Sequence, residues 1–279
     1  MHPLESVTNW PVKTAAVGFV SIGSSAPIPT ADRVGPVDQP FAWASVTKPA
    51  TALAVLVAVE EGSIWLDEPA GPPGSTVRHL LAHASGLGPE PGPPLDPPGT
   101  NRIYSNAAYL LLADLVATRT GIAFSDYVRE GVLEPLGMSG TVLDPDPAGG
   151  GAAAGLSGSL FDLLALGREL AVPTLVSADT HLEMVSVQFG GLGGVLPGFQ
   201  RFDPCDWGLG VEIRGEKRPH WTGTTNSPST FGHFGRSGSF LWIDPVAGVL
   251  CAGLSDRPFG PWAVRSWPVL ADSILAGRG

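Results

Sequence analysis

Thirteen consecutive residues, Pro49 to Glu61 (PATALAVLVAVEE), are apolar on nearly every helical face, and a helix of that kind has no side to give to water. It must run through the middle of the fold, with the other elements packed around it. Pro49 is tolerated only in or near the first turn, where amide hydrogens lack intrahelical partners, and Gly62 supplies a stop.

Just before this helix stands Ser45-Val46-Thr47-Lys48. Positions i and i+3 share a helix face, so Ser45 and Lys48 point the same way, with the hydroxyl near the helix's positive end. A serine is a poor nucleophile until something takes its proton, and an amine can take it once burial or nearby positive charge lowers its pKa. The pair therefore points to serine acyl transfer. With three lysines and 22 serines in the chain, this spacing arises by chance roughly one time in four. Tyr104-Ser105-Asn106 is a second element, with a chance frequency of roughly one in twenty-five. Taken alone, Tyr104 reads as a loop aromatic and Asn106 as the N-cap of a helix over Ala107 to Thr120, ended by Gly121. Beside Ser45 and Lys48, both read as site residues.

The chain has 279 residues, enough for a sizeable core in one large domain or two lobes. Its formal net charge of -10, with 15% charged residues and no basic run, argues against nucleic acid or an anionic membrane surface as a partner. Apolar runs fall well short of the roughly 18 residues of a membrane span, and Met1 to Glu5 lacks a basic leader region, so a soluble, cytoplasmic protein is expected. Cys205 and Cys251 have no metal spacing between them and read as two reduced core thiols.

Thr14 to Ile22 reads as a buried strand and Gly23 to Pro40 as a loop that delivers the chain to Ser45. A short helix is expected over Thr76 to His83, in which His79 and His83 share the i, i+4 spacing of a metal pair. No third ligand accompanies them, so they are read as structural. Helices are expected over Ser125 to Leu136, Leu160 to Leu170 and Asp179 to Val185, with little strand signal between them, and the Gly-rich 190–198 segment is expected to border a pocket. Trp207 to Ile213, Thr230 to Gly235, Ser239 to Ile243 and Val249 to Leu254 read as successive antiparallel strands, followed by a helix over Trp262 to Ala276 with a kink or break at Pro268. A phosphate-binding loop, G-x-S-x-G, G-x-G-x-x-G and internal repeats are all absent.

In this order, SVTK (Ser45 to Lys48), YSN (Tyr104 to Asn106) and HFG (His233 to Gly235) resemble the penicillin-recognising serine hydrolases, namely class C β-lactamases, D-Ala-D-Ala peptidases and family VIII esterases. LLAHASGL, EPLGM, GLSGSLFDL and SGSFLWIDP are similar connecting text, and the likeness runs from about Ala15 to the C-terminus. The resemblance implies that Ser45 becomes acylated, that Lys48 and Tyr104 share the proton work, and that Asn106 positions the lysine and substrate. It implies an oxyanion hole from the backbone amides of Ser45 and Arg236; His233 and Gly235 on the adjoining strand are read as substrate-binding, with His233 either polarising the site or packing on the strand edge. Where the family's β-lactam and peptide enzymes carry Thr or Ser, this chain has Phe234, which cannot donate a hydrogen bond to a substrate carboxylate.

The expected fold is α/β (α+β), β-lactamase/transpeptidase-like: an antiparallel sheet flanked by helices, plus an inserted mainly helical lobe. Residues 12–62 with 200–279 are expected to form the sheet lobe and 63–199 the helical one, with the site between them. The expected function is hydrolysis of carboxylic esters through a Ser45 acyl-enzyme, with weak β-lactam turnover. The alternatives are a true β-lactamase or D-Ala-D-Ala carboxypeptidase, and a penicillin-binding sensor that does not turn over. A small-molecule acyl substrate is expected, with no cofactor and no metal.

Overall fold

The computed structural model describes residues 2–23 and 31–277. A 3-10 turn over Pro3–Asn9 leads into β1 (Ala15–Ser21) and β2 (Asp32–Val34), and β3 (Phe41–Ala42) ends at a second 3-10 turn, Ala44–Val46, which runs into α1 (Thr47–Glu60). There follow α2 (Val77–Leu81), α3 (Ala107–Thr120), α4 (Phe124–Val128) with a π turn at Arg129–Leu133, β4 (Val142–Leu143), α5 (Gly151–Ala154), β5 (Leu156–Gly158), α6 (Leu160–Ala171) and α7 (Ala178–Val185). The last part comprises β6 (Gly194–Val195), β7 (Arg201–Phe202), β8 (Glu212–Ile213), β9 (Phe231–Gly235), β10 (Ser239–Asp244), β11 (Val249–Ser255) and α8 (Pro261–Ala276).

The main sheet has the order β2-β1-β11-β10-β9-β8 and is antiparallel throughout. β1 lies between the two ends of the chain's strand set, with Ala15 opposite Ser255 and Ser21 opposite Val249. Alternation along the strands divides the core. Ala16, Val20, Leu241, Ile243, Leu250 and Ala252 face α6 and α1, whereas Val17, Phe19, Phe240, Trp242 and Cys251 face the indoles and aliphatics of α8. This is the period-two pattern of a sheet covered on both faces.

The central apolar helix is confirmed as α1, in which only Val57, Val59 and Glu60 escape full burial. Each fully buried Leu or Val contributes roughly 1.5–3 kcal/mol, so α1 is a major source of the fold's stability as well as the support for Ser45.

Several expectations need correction. Most of the strand expected over Trp207 to Ile213 is a tight turn, because Gly208 N–H bonds Val211 O and Gly210 adopts φ +83°, leaving only Glu212 and Ile213 in the sheet. Strands occur between the middle helices after all: β4 and β5 pair, and β5 also pairs with β3 from before the serine turn, in a small sheet of two- and three-residue strands too short for alternation to reveal. The helix expected over Ser125 to Leu136 changes to a π turn at Arg129. α8 runs through Pro268 without a break. The expected loop from Gly23 to Pro40 contains β2, and its residues 24–30 lie outside the described residues. Both cysteines are free and buried. Among the described residues no single helix is long and apolar enough to cross a membrane.

Candidate active site

Ser45 lies in the 3-10 turn that leads into α1, at the start of the central helix as expected. Its neighbour Ala44 has φ +46°, a left-handed conformation that costs a non-glycine residue of order 1 kcal/mol. Trp43 holds this turn from three sides. Its amide donates to Leu156 O at 2.8 Å, its indole to Gly158 O at 3.2 Å, and its carbonyl accepts Ser239 Oγ at 2.6 Å. The strain is thus carried by β5 and β10 together, and the hydroxyl is presented to the cleft.

One helical turn on, Lys48 is 0% exposed. Its Nζ lies 2.8 Å from Asn106 Oδ1, 2.9 Å from Ala153 O and 3.5 Å from Ser45 Oγ, with the Tyr104 ring centroid at 4.7 Å. None of its polar partners is a carboxylate. Burial without an opposite charge holds the Lys48 amine well below the ordinary lysine range. A neutral amine has two N–H donors and one lone pair. The two carbonyl oxygens take the donors, which leaves the lone pair for the Ser45 hydroxyl.

Tyr104 hydrogen-bonds Ser45, and burial pushes its phenol up, against the opposing effects of that bond and of Arg236. It is a neutral O–H at physiological pH, able to relay a proton but not to stand as a phenolate. Asn106 does not cap α3. Its side chain is committed to Lys48, and Ser105 Oγ takes the cap by accepting the Ala108 amide at 3.0 Å. Gly121, in the left-handed region at φ +72°, ends α3 as expected.

β9 forms the opposite wall. His233 Nδ1 donates to Phe234 O at 2.7 Å, so the ring carries its proton there, and burial pushes its pKa down to about 3. Arg236 follows β9 and is exposed, bordering three chambers of the cleft. Gly235 lets β9 approach the serine turn: a Cβ there would lie 2.4 Å from Trp43 O, 2.4 Å from Ser239 Oγ and 3.1 Å from the Ala44 methyl. Gly235→Ala is accordingly expected to push β9 away from Ser45 and lower kcat/KM about 100-fold, with a fall in thermal midpoint. Steady-state kinetics on the refolding-competent variant check this, and unchanged kcat/KM would remove the close-approach argument.

A cavity of about 210 Å³ opens beside Ser45, walled by Tyr104, Trp207, Phe234, Phe259 and the 196–198 turn. Phe234 packs against Phe259 at 4.8 Å, Trp221 at 5.6 Å and Phe199 at 6.0 Å between ring centroids. The Gly-rich 190–198 segment does border the pocket, though it also contributes β6. Two chambers of about 490 and 440 Å³ adjoin Asn106 and Arg236, the first reaching Tyr104, Glu90, Asp96 and Arg201, the second reaching Ser45 and Ala153.

All seven sequence-predicted site residues lie at this cleft: Ser45, Tyr104, Asn106, His233 and Arg236 line it, Lys48 is buried behind Ser45 and Asn106, and Gly235 lies against the Ser45 turn. The Ala153 carbonyl, Trp207 and the Phe199–Phe259 wall were not foreseen. A backbone carbonyl has no residue signature, and the aromatic rings come from loops without periodicity. The two histidines weighed as a metal pair diverge: His79 Nδ1 bonds Thr76 Oγ1 at 2.8 Å, whereas His83, beyond the end of α2, turns inward. Among the described residues no group of three or more His, Cys, Asp or Glu is placed to hold a metal ion.

The beta-lactamase family profile matches residues 6–276. A crystal structure of a beta-lactamase from Mycobacterium bovis is 48% identical, covers 99% of both chains and superposes with a TM-score of 0.94. A protein of Escherichia coli K12 named as a D-alanyl-D-alanine carboxypeptidase is 29% identical over 206 residues, 60% of this chain and 47% of the relative. The chain thus spans about half the length of the curated relatives it matches. EstCE1, described as a hydrolase with promiscuous acyltransferase activity, shares the fold at 17% identity and a TM-score of 0.76, covering 98% of this chain and 96% of that one.

Proposed function

The chain belongs to the beta-lactamase family of serine hydrolases, and on that premise we propose that it hydrolyses neutral carboxylic esters through an acyl-enzyme on Ser45. The observation that carries the reading is the buried Lys48 amine, whose two donors are taken by Asn106 and Ala153 while its remaining valence faces Ser45 Oγ.

Ser45 Oγ attacks the ester carbonyl carbon as its proton passes to Lys48 Nζ. The carbonyl oxygen becomes an oxyanion, for which the amides of Ser45 and Arg236 are the proposed donors. Collapse breaks the carbon–alkoxide bond, and the departing oxygen takes the proton from Lys48, directly or through Tyr104. Water then gives a proton to the same amine and attacks the acyl carbon; the bond to Ser45 Oγ breaks, Oγ takes that proton back from Lys48, and the acid is released.

The preference for a neutral substrate rests on Phe234, whose surroundings are aromatic rings rather than hydrogen-bond donors. A carboxylate placed there would lose its hydration without replacement. The second reading, a β-lactam or D-Ala-D-Ala substrate, is favoured by the exposed Arg236 beside the cleft and by the name of the relatives matched. Turnover of a short-chain p-nitrophenyl ester and of a chromogenic cephalosporin, both measured over the Ser45→Ala background, separates them. Fast ester and negligible cephalosporin hydrolysis support the ester reading, and the opposite preference overturns it. Phe234→Thr is expected to raise cephalosporin kcat/KM about tenfold relative to the ester, the worth of one hydrogen bond to a charged group.

A further inference from the structure

We propose that His83 is a positioning residue that sets the Tyr104–Asn106 turn against Lys48. The assignment rests on the Ser45 reading above and goes beyond it, because His83 lies outside the three motifs and touches neither Ser45 nor Lys48 by hydrogen bond.

His83 is 0% exposed and has φ +55°. It grips the turn three times. Its carbonyl accepts the Ile103 amide at 2.9 Å, its Nδ1 accepts the Ser105 amide at 3.1 Å, and its ring lies 4.6 Å from that of Tyr104. Ser105 is the residue between the proton relay and the lysine's anchor, so an acceptor on its amide fixes both neighbours at once. The rest of the turn is tied down independently, with Ser105 Oγ donating to Gly88 O at 2.7 Å and the Asn106 amide to Pro89 O at 3.1 Å. The Ser105 amide alone depends on a side chain.

The bond also defines the tautomer. Because Nδ1 accepts, a neutral ring carries its proton on Nε2, and that atom is buried with no hydrogen-bond partner, among Tyr104, Tyr109 and Trp207. Burial, with the Arg102 charge nearby, keeps the ring neutral. An unpaired buried donor is costly. An apolar side chain of similar volume would avoid that cost, but it would leave the Ser105 amide without an acceptor. The arrangement is accounted for if the Nδ1 bond is what the position supplies.

The test compares His83→Asn with His83→Leu. Asn offers Oδ1 near the place of Nδ1 and tolerates the left-handed backbone, whereas Leu fills the space with no acceptor. Should His83→Leu not fold, His83→Gly, which is unstrained at φ +55° and equally without an acceptor, takes its place. Two rates are read: labelling of Ser45 by a fluorophosphonate, followed by peptide mass spectrometry, and kcat with KM for a p-nitrophenyl ester. The expected result is a fall of about 30- to 100-fold in labelling rate and kcat for the Leu or Gly variant, with KM within about threefold, and an Asn variant within about fivefold of the parent. Parent-like rates without the acceptor, or an Asn variant as slow as Leu, would overturn the positioning role while leaving Ser45 in place. A parent that is never labelled at Ser45 would remove the Ser45 reading itself, and this assignment with it.

Discussion

Ser45→Ala is expected to lower ester kcat by at least about 10⁴-fold while leaving the thermal midpoint within a few degrees of the parent. The argument for the first half is that no other group on the cavity beside Ser45 is a free nucleophile: Glu212, the carboxylate among its lining residues, is paired with Lys217 at 2.7 Å and His220 at 3.0 Å. Lys48 is 0% exposed and engaged by two carbonyls, so its amine serves the serine but cannot reach a substrate carbon. Tyr104 is held as a neutral phenol by burial. His233 has its Nδ1 proton committed to Phe234 O and its Nε2 buried without a partner. Removing one hydroxyl therefore removes the nucleophile without leaving a substitute.

The second half follows from where the turn's strain is carried. Ala44 is held at φ +46° by the bonds of Trp43 to Leu156, Gly158 and Ser239, none of which involves the Ser45 side chain. Intact-mass spectrometry after mixing with p-nitrophenyl acetate gives a direct check. The parent should gain one acetyl group at Ser45 before turnover, and the variant none. Undiminished hydrolysis by a Ser45→Ala preparation free of contaminating esterase would falsify the nucleophile assignment.

What was legible in the chain was what is local. Ser45 and Lys48 are one helical turn apart, so their juxtaposition follows from backbone geometry alone, and it holds although Ser45 stands in the 3-10 turn that precedes α1. β1, β10 and β11 were legible as short apolar runs rich in β-compatible residues, the last two set off by Gly, Pro and Asp turns. Asn106 shows the limit. Adjacent to a helix start, it was open to reading as a cap, yet its side chain reaches Lys48, 58 residues away in sequence, and the cap is made by Ser105. The Ala153 carbonyl, 105 residues from Lys48, could not have been read at all, since any residue type supplies the same oxygen. For Phe234 the loss of a hydrogen-bonding side chain was visible, but not the aromatic wall that Phe199, Phe259 and Trp221 build around it. Those rings come from separate loops and meet only in the folded chain.

Lys48→Met is expected to lower kcat about 10³-fold or more, the worth of a general base together with its contribution to alignment, and to alter the pH dependence of stability in a defined direction. In the parent the folded-state amine titrates well below the ordinary lysine value because burial disfavours its charge. Activity that needs the neutral amine rises with pH through that lowered pKa and is then level, where an ordinary lysine would leave the enzyme idle until pH approached about 10.4. For stability the unfolded chain binds the extra proton. Between the folded-state pKa and about 10.4, unfolding takes up a proton, so the parent's stability rises with pH relative to Lys48→Met, by about 1.4 kcal/mol per pH unit where the titration is complete. Above about 10.4 the difference is flat. Denaturant unfolding of both proteins at about pH 8 and about pH 9.5, both below the ordinary lysine value, measures it. Parallel stabilities at the two values would mean that Lys48 keeps its charge in the fold. The lone pair facing Ser45 would then not exist, and the proton acceptor would have to be sought elsewhere in the cleft.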